Sequence, residues 1–135
     1  KLLTAEVLMG DEIVKENQKI LEGVIGFDQA FDDTTEAFKR FTQAYKTANN
    51  NEELSYPFYQ TALYSEVYLA KELLEKEGND GEKMQNALSR LSNWNGSVLP
   101  NVTLDANGDI LWSSFNVKNV RSGKAEKVKV FNIQL

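Results

Sequence analysis

Apolar residues recur at helical spacing over three stretches of this chain and at alternate positions over its last third. The longest helical stretch runs from Ser55 to Gly78. There Phe58, Tyr59, Ala62, Leu63, Val67, Ala70, Leu73 and Leu74 make a wide apolar face. Ser55 is a candidate N-cap, Pro57 suits a first turn where a missing N–H costs nothing, and Gly78 fits the position just past a helix end. A helix over 57–77 follows, with Tyr56, Phe58, Tyr59, Tyr64 and Tyr68 gathered near one end, where two roles stay open for that aromatic surface: packing in the core or facing a ligand. Upstream, Asp32 to Glu36 reads as a helix start, with Asp33 and Glu36 spaced as in a capping box. Ala37, Phe38, Phe41, Ala44, Tyr45 and Ala48 then form an amphipathic stripe, predicting a helix over 34–48 that ends in Asn49-Asn50-Asn51. Asn79 and Asp80 open a third helix over 81–92, with Met84, Ala87, Leu88 and Leu91 facing inward.

The remaining pattern is mostly β. Residues 1–10 suit a strand end or a loop, and Asp11 to Lys19 suits a short helix with its acidic residues in the first turn. Leu21 to Phe31 reads as a strand, with Gly23 and Gly26 marking bends or close approach. After Asn95-Gly96 the period becomes two. Val98, Val102 and Leu104 lead into Asp105-Ala106-Asn107-Gly108-Asp109, whose Asn-Gly is a strong hairpin signal. Ile110, Trp112, Phe115 and Val117 make the return strand, with a slip at Ser113-Ser114 read as a bulge. Ser122-Gly123 turns the chain again, and Val128, Val130 and Ile133 form a final strand. The order is strand, three helices, three strands. That leaves the first strand short of partners, so the pattern reads as part of a larger α/β protein.

Composition narrows the chemistry. The 135 residues carry a net charge of −5 spread along the chain, which argues against a nucleic-acid backbone as partner. Lys118, Arg121, Lys124, Lys127 and Lys129 cluster near the C-terminus and read as the solvated face of a strand pair. There is no cysteine and no histidine, so disulfides, thiolate metal sites and the usual neutral-pH base are all missing. The Asp105–Asp109 segment lacks the Gly position and distant Glu of a calcium loop and reads as a turn, not a metal site. The acidic pairs Asp11/Glu12 and Asp32/Asp33 sit where helix starts demand them. No phosphate-binding or nucleophile-elbow motif occurs, and nothing calls for a cofactor, so an enzyme is not expected. Asn95-Gly96-Ser97 and Asn101-Val102-Thr103 match the glycosylation pattern, which is common by chance. No run approaches the roughly 18 apolar residues of a membrane span. The chain does not begin with Met, and the expectation is of a piece of something longer.

Several pieces line up with one family. They are Leu21-Glu22-Gly23-Val24, an acidic gap, the helix from Ala37 to Lys46, a proline, the stretch from Tyr59 to Gly78, a short helix, and a β run ending at Leu104 to Asp109. In order and spacing this resembles the C-terminal part of the type I periplasmic solute-binding proteins, the group of the leucine/isoleucine/valine-binding protein. The resemblance covers nearly the whole chain. Ser65 stands where that family usually has Asp, Leu104 replaces an aromatic before Asp105, and the Gly-x-x-Gly feature is reduced to Gly96.

The resemblance implies an α/β fragment of a two-lobe fold whose lobes close on a ligand. Residues 1–29 and 117–135 would belong to the second lobe and 30–116 to the first. It also implies a non-enzymatic, periplasmic or extracellular component of an ABC importer, lipid-anchored in some members. Such a protein takes an amino acid or related small polar solute and works with a membrane permease. Glu6 is similar in position to the second-lobe carboxylate that meets a ligand's ammonium, and Tyr59 to a first-lobe aromatic at the cleft. For both, an ordinary structural role stays open: a surface carboxylate for Glu6 and core packing for Tyr59. Two other functions also stay open, a ligand-sensing ectodomain of the same fold and a stand-alone α/β interaction domain. An incomplete lobe leaves sheet edges and a lobe face uncovered, and so predicts self-association.

Overall fold

The structure is a computed structural model that describes residues 3–30, 32–111 and 114–132, without the side chains of 5–7. The chain divides into two compact units, one of residues 1–30 with 112–135 and the other of residues 31–111.

The first unit is a four-stranded sheet. Its strands are β1 (Leu3–Ala5), β2 (Ile25–Gln29), β3 (Ser114–Arg121) and β4 (Lys124–Asn132), in spatial order β1-β2-β3-β4. β1 runs parallel to β2, and the other two pairs are antiparallel. A parallel pair needs a crossover. Here it is a 3-10 turn (Glu6–Met9), α1 (Asp11–Glu16) and α2 (Gln18–Leu21). The single helix expected over 11–19 breaks at Asn17, whose side-chain amide donates to the Ile13 carbonyl at 3.0 Å and ends the first segment. Leu21 closes α2 and Gly23 turns with a positive φ of 76°, so the strand expected from Leu21 starts only at Ile25. The expected shortage of partners for that strand is also corrected, since it lies between β1 and β3.

Met9, Val14, Leu21, Val24 and Val120 are the buried core of this unit, with Ile13 and Ala125 packed against them. Gly26 has no Cβ because Met9 lies directly on the strand at that point. Phe27, next along the strand, points the other way. It meets Phe115 edge-on at 6.3 Å and stays 41% exposed. Ser122 and Gly123 both take positive φ in the two-residue loop between β3 and β4, as a tight hairpin requires. A register irregularity falls at Val117/Lys118. Ser113, where the slip was expected, lies outside the described residues, as do Trp112 and Ile133.

The second unit holds α3 (Glu36–Ala48), α4 (Pro57–Glu77) and α5 (Gly81–Leu88). α4 has the expected bounds, with Gly78 at φ 71° beyond its end. The caps differ from expectation. Thr35, not Asp33, caps α3 by accepting the Phe38 N–H at 3.1 Å. Tyr56, not Ser55, precedes α4, and its N–H donates to the Gln60 side chain at 3.0 Å. Asp80 caps α5 by accepting the Lys83 N–H at 3.1 Å. α5 stops at Leu88 instead of 92, because the chain tightens there and the Leu91 carbonyl is taken by the Leu104 N–H at 3.1 Å.

Residues 89–111 are irregular, stitched by the bridges Trp94–Val102 and Leu104–Ile110. The expected hairpin is present in reduced form, a turn flanked by the antiparallel Leu104–Ile110 bridge, with the Leu111 N–H donating to the Thr103 carbonyl at 2.9 Å. Asp105 accepts the N–H groups of Asp109 at 2.9 Å and Asn107 at 2.8 Å, which, Asp109 first, hold its carboxyl below the ordinary range. Val98, Leu99 and Val102 are buried nonetheless, with Ala62, Leu73 and Trp94. On α4 the expected apolar face splits. Ala62 and Leu73 are covered, while Leu63, Val67, Ala70 and Leu74 are exposed. No helix among the described residues is long and apolar enough to cross a membrane.

Candidate functional site

The two residues singled out by resemblance fall in different units. Glu6 opens the 3-10 turn that follows β1 in the first unit, and its side chain lies outside the described part. Tyr59 sits in the first turn of α4 in the second unit, 42% exposed, with its ring 5.5 Å from that of Phe58 at 58°. A half-exposed phenol is a surface on which an apolar ligand group can lie.

A second aromatic cluster lies further along α4. Tyr64 and Tyr68, one turn apart, have rings 5.0 Å apart and share a hydroxyl–hydroxyl hydrogen bond of 2.9 Å. That bond is the main reason the Tyr64 phenol titrates above its ordinary value, with burial second. Phe41 of α3 packs on Tyr64 at 4.8 Å. With Ala37, Arg40 and Ala44 of α3 and residues Asn95 to Val98, these rings line a groove of about 430 Å³.

The loop side of the groove is fixed in place. Ser65, 2% exposed, accepts the Leu99 N–H at 3.0 Å and ties the loop to α4. The Asn95 side chain donates to the Asn93 carbonyl at 2.7 Å and accepts the Asn101 N–H at 2.9 Å. Trp94 is buried, and its indole N–H donates to Glu72 at 2.8 Å. Lys76 holds that same carboxylate, and the two contacts, Lys76 first, keep Glu72 below its ordinary range. A smaller hollow of about 310 Å³ between α4 and α5 is lined by Glu72, Lys76 and Trp94, whose polar groups already satisfy one another.

The basic residues near the C-terminus spread over β3 and β4. Lys118 is half-buried in an ion pair with Asp28, while Arg121, Lys124, Lys127 and Lys129 are exposed. Among the described residues no group of three His, Cys, Asp or Glu side chains converges as a metal site would require. The sequence reading left Tyr64 and Tyr68 open as ligand-facing aromatics but missed the groove, because it took Phe41 simply as part of an apolar helix face and had no means of bringing residues 95–98 to it. The one local signal was Tyr64 and Tyr68 at a spacing of four.

The fold places the chain beside the type I solute-binding proteins of ABC transporters, α/β proteins of two lobes. The leucine-binding protein LivK from Thermotoga maritima matches with a TM-score of 0.72 and 21% identity over 96% of this chain. A substrate-binding protein from Desulfitobacterium hafniense, in complex with Leu, matches at 0.59 and 19% identity over 94% of this chain. A solute-binding protein from Rhodopseudomonas palustris, in complex with 3,4-dihydroxybenzoic acid, matches at 0.65 and 19% over 98%. The chain spans only 37%, 35% and 37% of the length of those three. No protein-family model matches the sequence, and no curated protein does. At these identities the likeness is one of fold.

Proposed function

We propose that the chain is part of the extracytoplasmic solute-binding component of an ABC importer, and that its solute is an amino acid of the branched-chain kind or a related small polar molecule. The observation that carries this reading is the match to LivK over 96% of the chain at a TM-score of 0.72. The neighbours bound to Leu and to an aromatic acid are substrate-binding proteins too, which supports binding without catalysis. The sensor and interaction-domain readings gain no support from these neighbours.

In this reading residues 30–116 belong to the first lobe and residues 1–29 and 117–135 to the second, which is close to the division of the chain into units at residues 30/31 and 111/112. Glu6 pairs with the solute's ammonium, and Tyr59 covers its apolar part. The place of action is the periplasm or the cell exterior, and the partner is a membrane permease.

The test uses the protein with whatever sequence flanks these 135 residues in its gene. Titration with leucine, isoleucine and valine should give saturable heat. Glu6→Gln should weaken binding about tenfold or more, as loss of a charge-assisted hydrogen bond does. Tyr59→Ala should weaken it less. Indifference of the intact protein to every amino acid, or unchanged affinity in Glu6→Gln, ends the amino-acid reading.

A further inference from the structure

We propose that the groove between α3, α4 and the loop of Asn95 to Val98 is a ligand site in its own right, for a small planar ring compound that carries a carboxylate. It lies wholly within the second unit, and Tyr59 does not line it.

Four observations point to that class. The first is room between fixed walls. Ala37 and Ala44 stand one turn on either side of Phe41, and their short side chains leave space beside its ring. The facing loop is pinned by the buried Ser65–Leu99 hydrogen bond and by the Asn95 side chain, so the space is not free to collapse. Its 430 Å³ lies within the roughly 300–1,000 Å³ of small-molecule pockets.

The second is the walls' chemistry. Phe41, Tyr64 and Tyr68 form a stepped aromatic surface, with successive planes tilted by 49° and 44°. Such a surface offers offset and edge contacts to a flat ring. The third is charge. α3 carries three cations; Lys39 is paired with Glu36 and Lys46 with Glu53, while Arg40 has no ion-pair or hydrogen-bond partner among the described residues. Among the described residues no acidic side chain lines the groove. A planar guanidinium with all its donors unspent, beside aromatic faces, suits a carboxylate gripped through two parallel hydrogen bonds. The fourth is the tyrosine pair. Two hydroxyls share one hydrogen bond, so one proton and several lone pairs are left for a polar substituent on the ring.

The probe is 4-hydroxyphenylacetate, titrated into the 135-residue chain and followed by NMR at the Val98 methyls and the Tyr64 and Tyr68 rings. Saturable shifts at these groups are expected below about 10 mM, in the range of weak small-ligand affinities. Arg40 and Ala44 are both exposed, so changing them should leave the fold intact. Arg40→Gln should weaken binding about tenfold, as should replacing the probe by its uncharged amide. Ala44→Phe should fill the space and abolish binding. The proposal is overturned by absence of saturation at about 10 mM. It is equally overturned by undiminished binding in either variant or of the amide, or by shifts that centre on Tyr59 and spare Val98. Because the site needs only the second unit, a failure of amino-acid binding by the intact protein leaves it standing, and the reverse holds too.

Discussion

Removing a single oxygen at Ser65 tests how the second unit holds its irregular loop. The Ser65 hydroxyl is 2% exposed and accepts the N–H of Leu99, itself 2% exposed, at 3.0 Å. Ser65→Ala deletes the acceptor and leaves a buried donor with nowhere to turn. An unsatisfied buried N–H costs about 1–3 kcal/mol, and the small cavity adds little. A chain of this size loses about 4 °C of melting temperature per kcal/mol, so the fall should be roughly 4–12 °C. The specific readout is amide exchange. The Leu99 N–H should exchange much faster in the variant, while amides in the middle of β3, in the other unit, keep their protection. Near-ultraviolet circular dichroism gives the melt, and NMR gives the exchange. If Leu99 stays as protected as before and the melting point moves by less than about 1 °C, the hydrogen bond is not what anchors the loop.

Three further outcomes follow from the same geometry. Gly96→Ala would drive a methyl group into the Trp94 ring, which is buried and tied by its indole N–H to Glu72, so stability should drop by about 1–3 kcal/mol in a denaturant titration. Glu72 is held below its ordinary range by Lys76 and the Trp94 indole, so its folded-state value is lower than its unfolded one. The stabilisation it gives is therefore present above the ordinary carboxylate range, about pH 4.3, and is lost as pH falls through and below it. Melting temperatures measured against pH should show that decline, and Glu72→Gln should make it shallower. A decline of undiminished steepness in that variant would mean other carboxylates carry it. Finally, the exposed stripe Leu63, Val67, Ala70, Leu74 should draw copies of the chain together, and the double change Val67→Glu with Leu74→Lys should reduce that association in sedimentation velocity. A chain that stays monomeric at all concentrations before the change would refute it.

The limits of α4 were readable because Pro57 and Gly78 are local instructions that need no knowledge of the rest of the chain. Its covered side was not readable. Periodicity shows that one side of a helix differs from another, but not which side finds a neighbour. Thr61 and Ser65, both polar, are buried, because Thr61 donates to the Pro57 carbonyl at 2.8 Å and Ser65 accepts from Leu99. Leu63 and Val67, both apolar, stay 62% and 68% exposed. The same limit governs the strands. Alternation marked the β character of residues 114–121 and 124–132, and Ser122-Gly123 fixed the hairpin between them. Alternation at Val98, Val102 and Leu104 looked no different, yet produced only the isolated bridges Trp94–Val102 and Leu104–Ile110, because a strand needs a partner that its own sequence does not announce. Sites stand at the far end of this scale. Glu6 could be named only through the order of motifs along the whole chain, and only that order singled out Tyr59 from the other aromatics of its helix. The groove needs Phe41, Tyr64 and Val98 to meet across more than fifty positions, and it is the loop's attachment to Ser65 that brings the last of these into place. The Ser65 hydroxyl therefore links the two arguments: if it does not hold Leu99, the groove loses one of its walls.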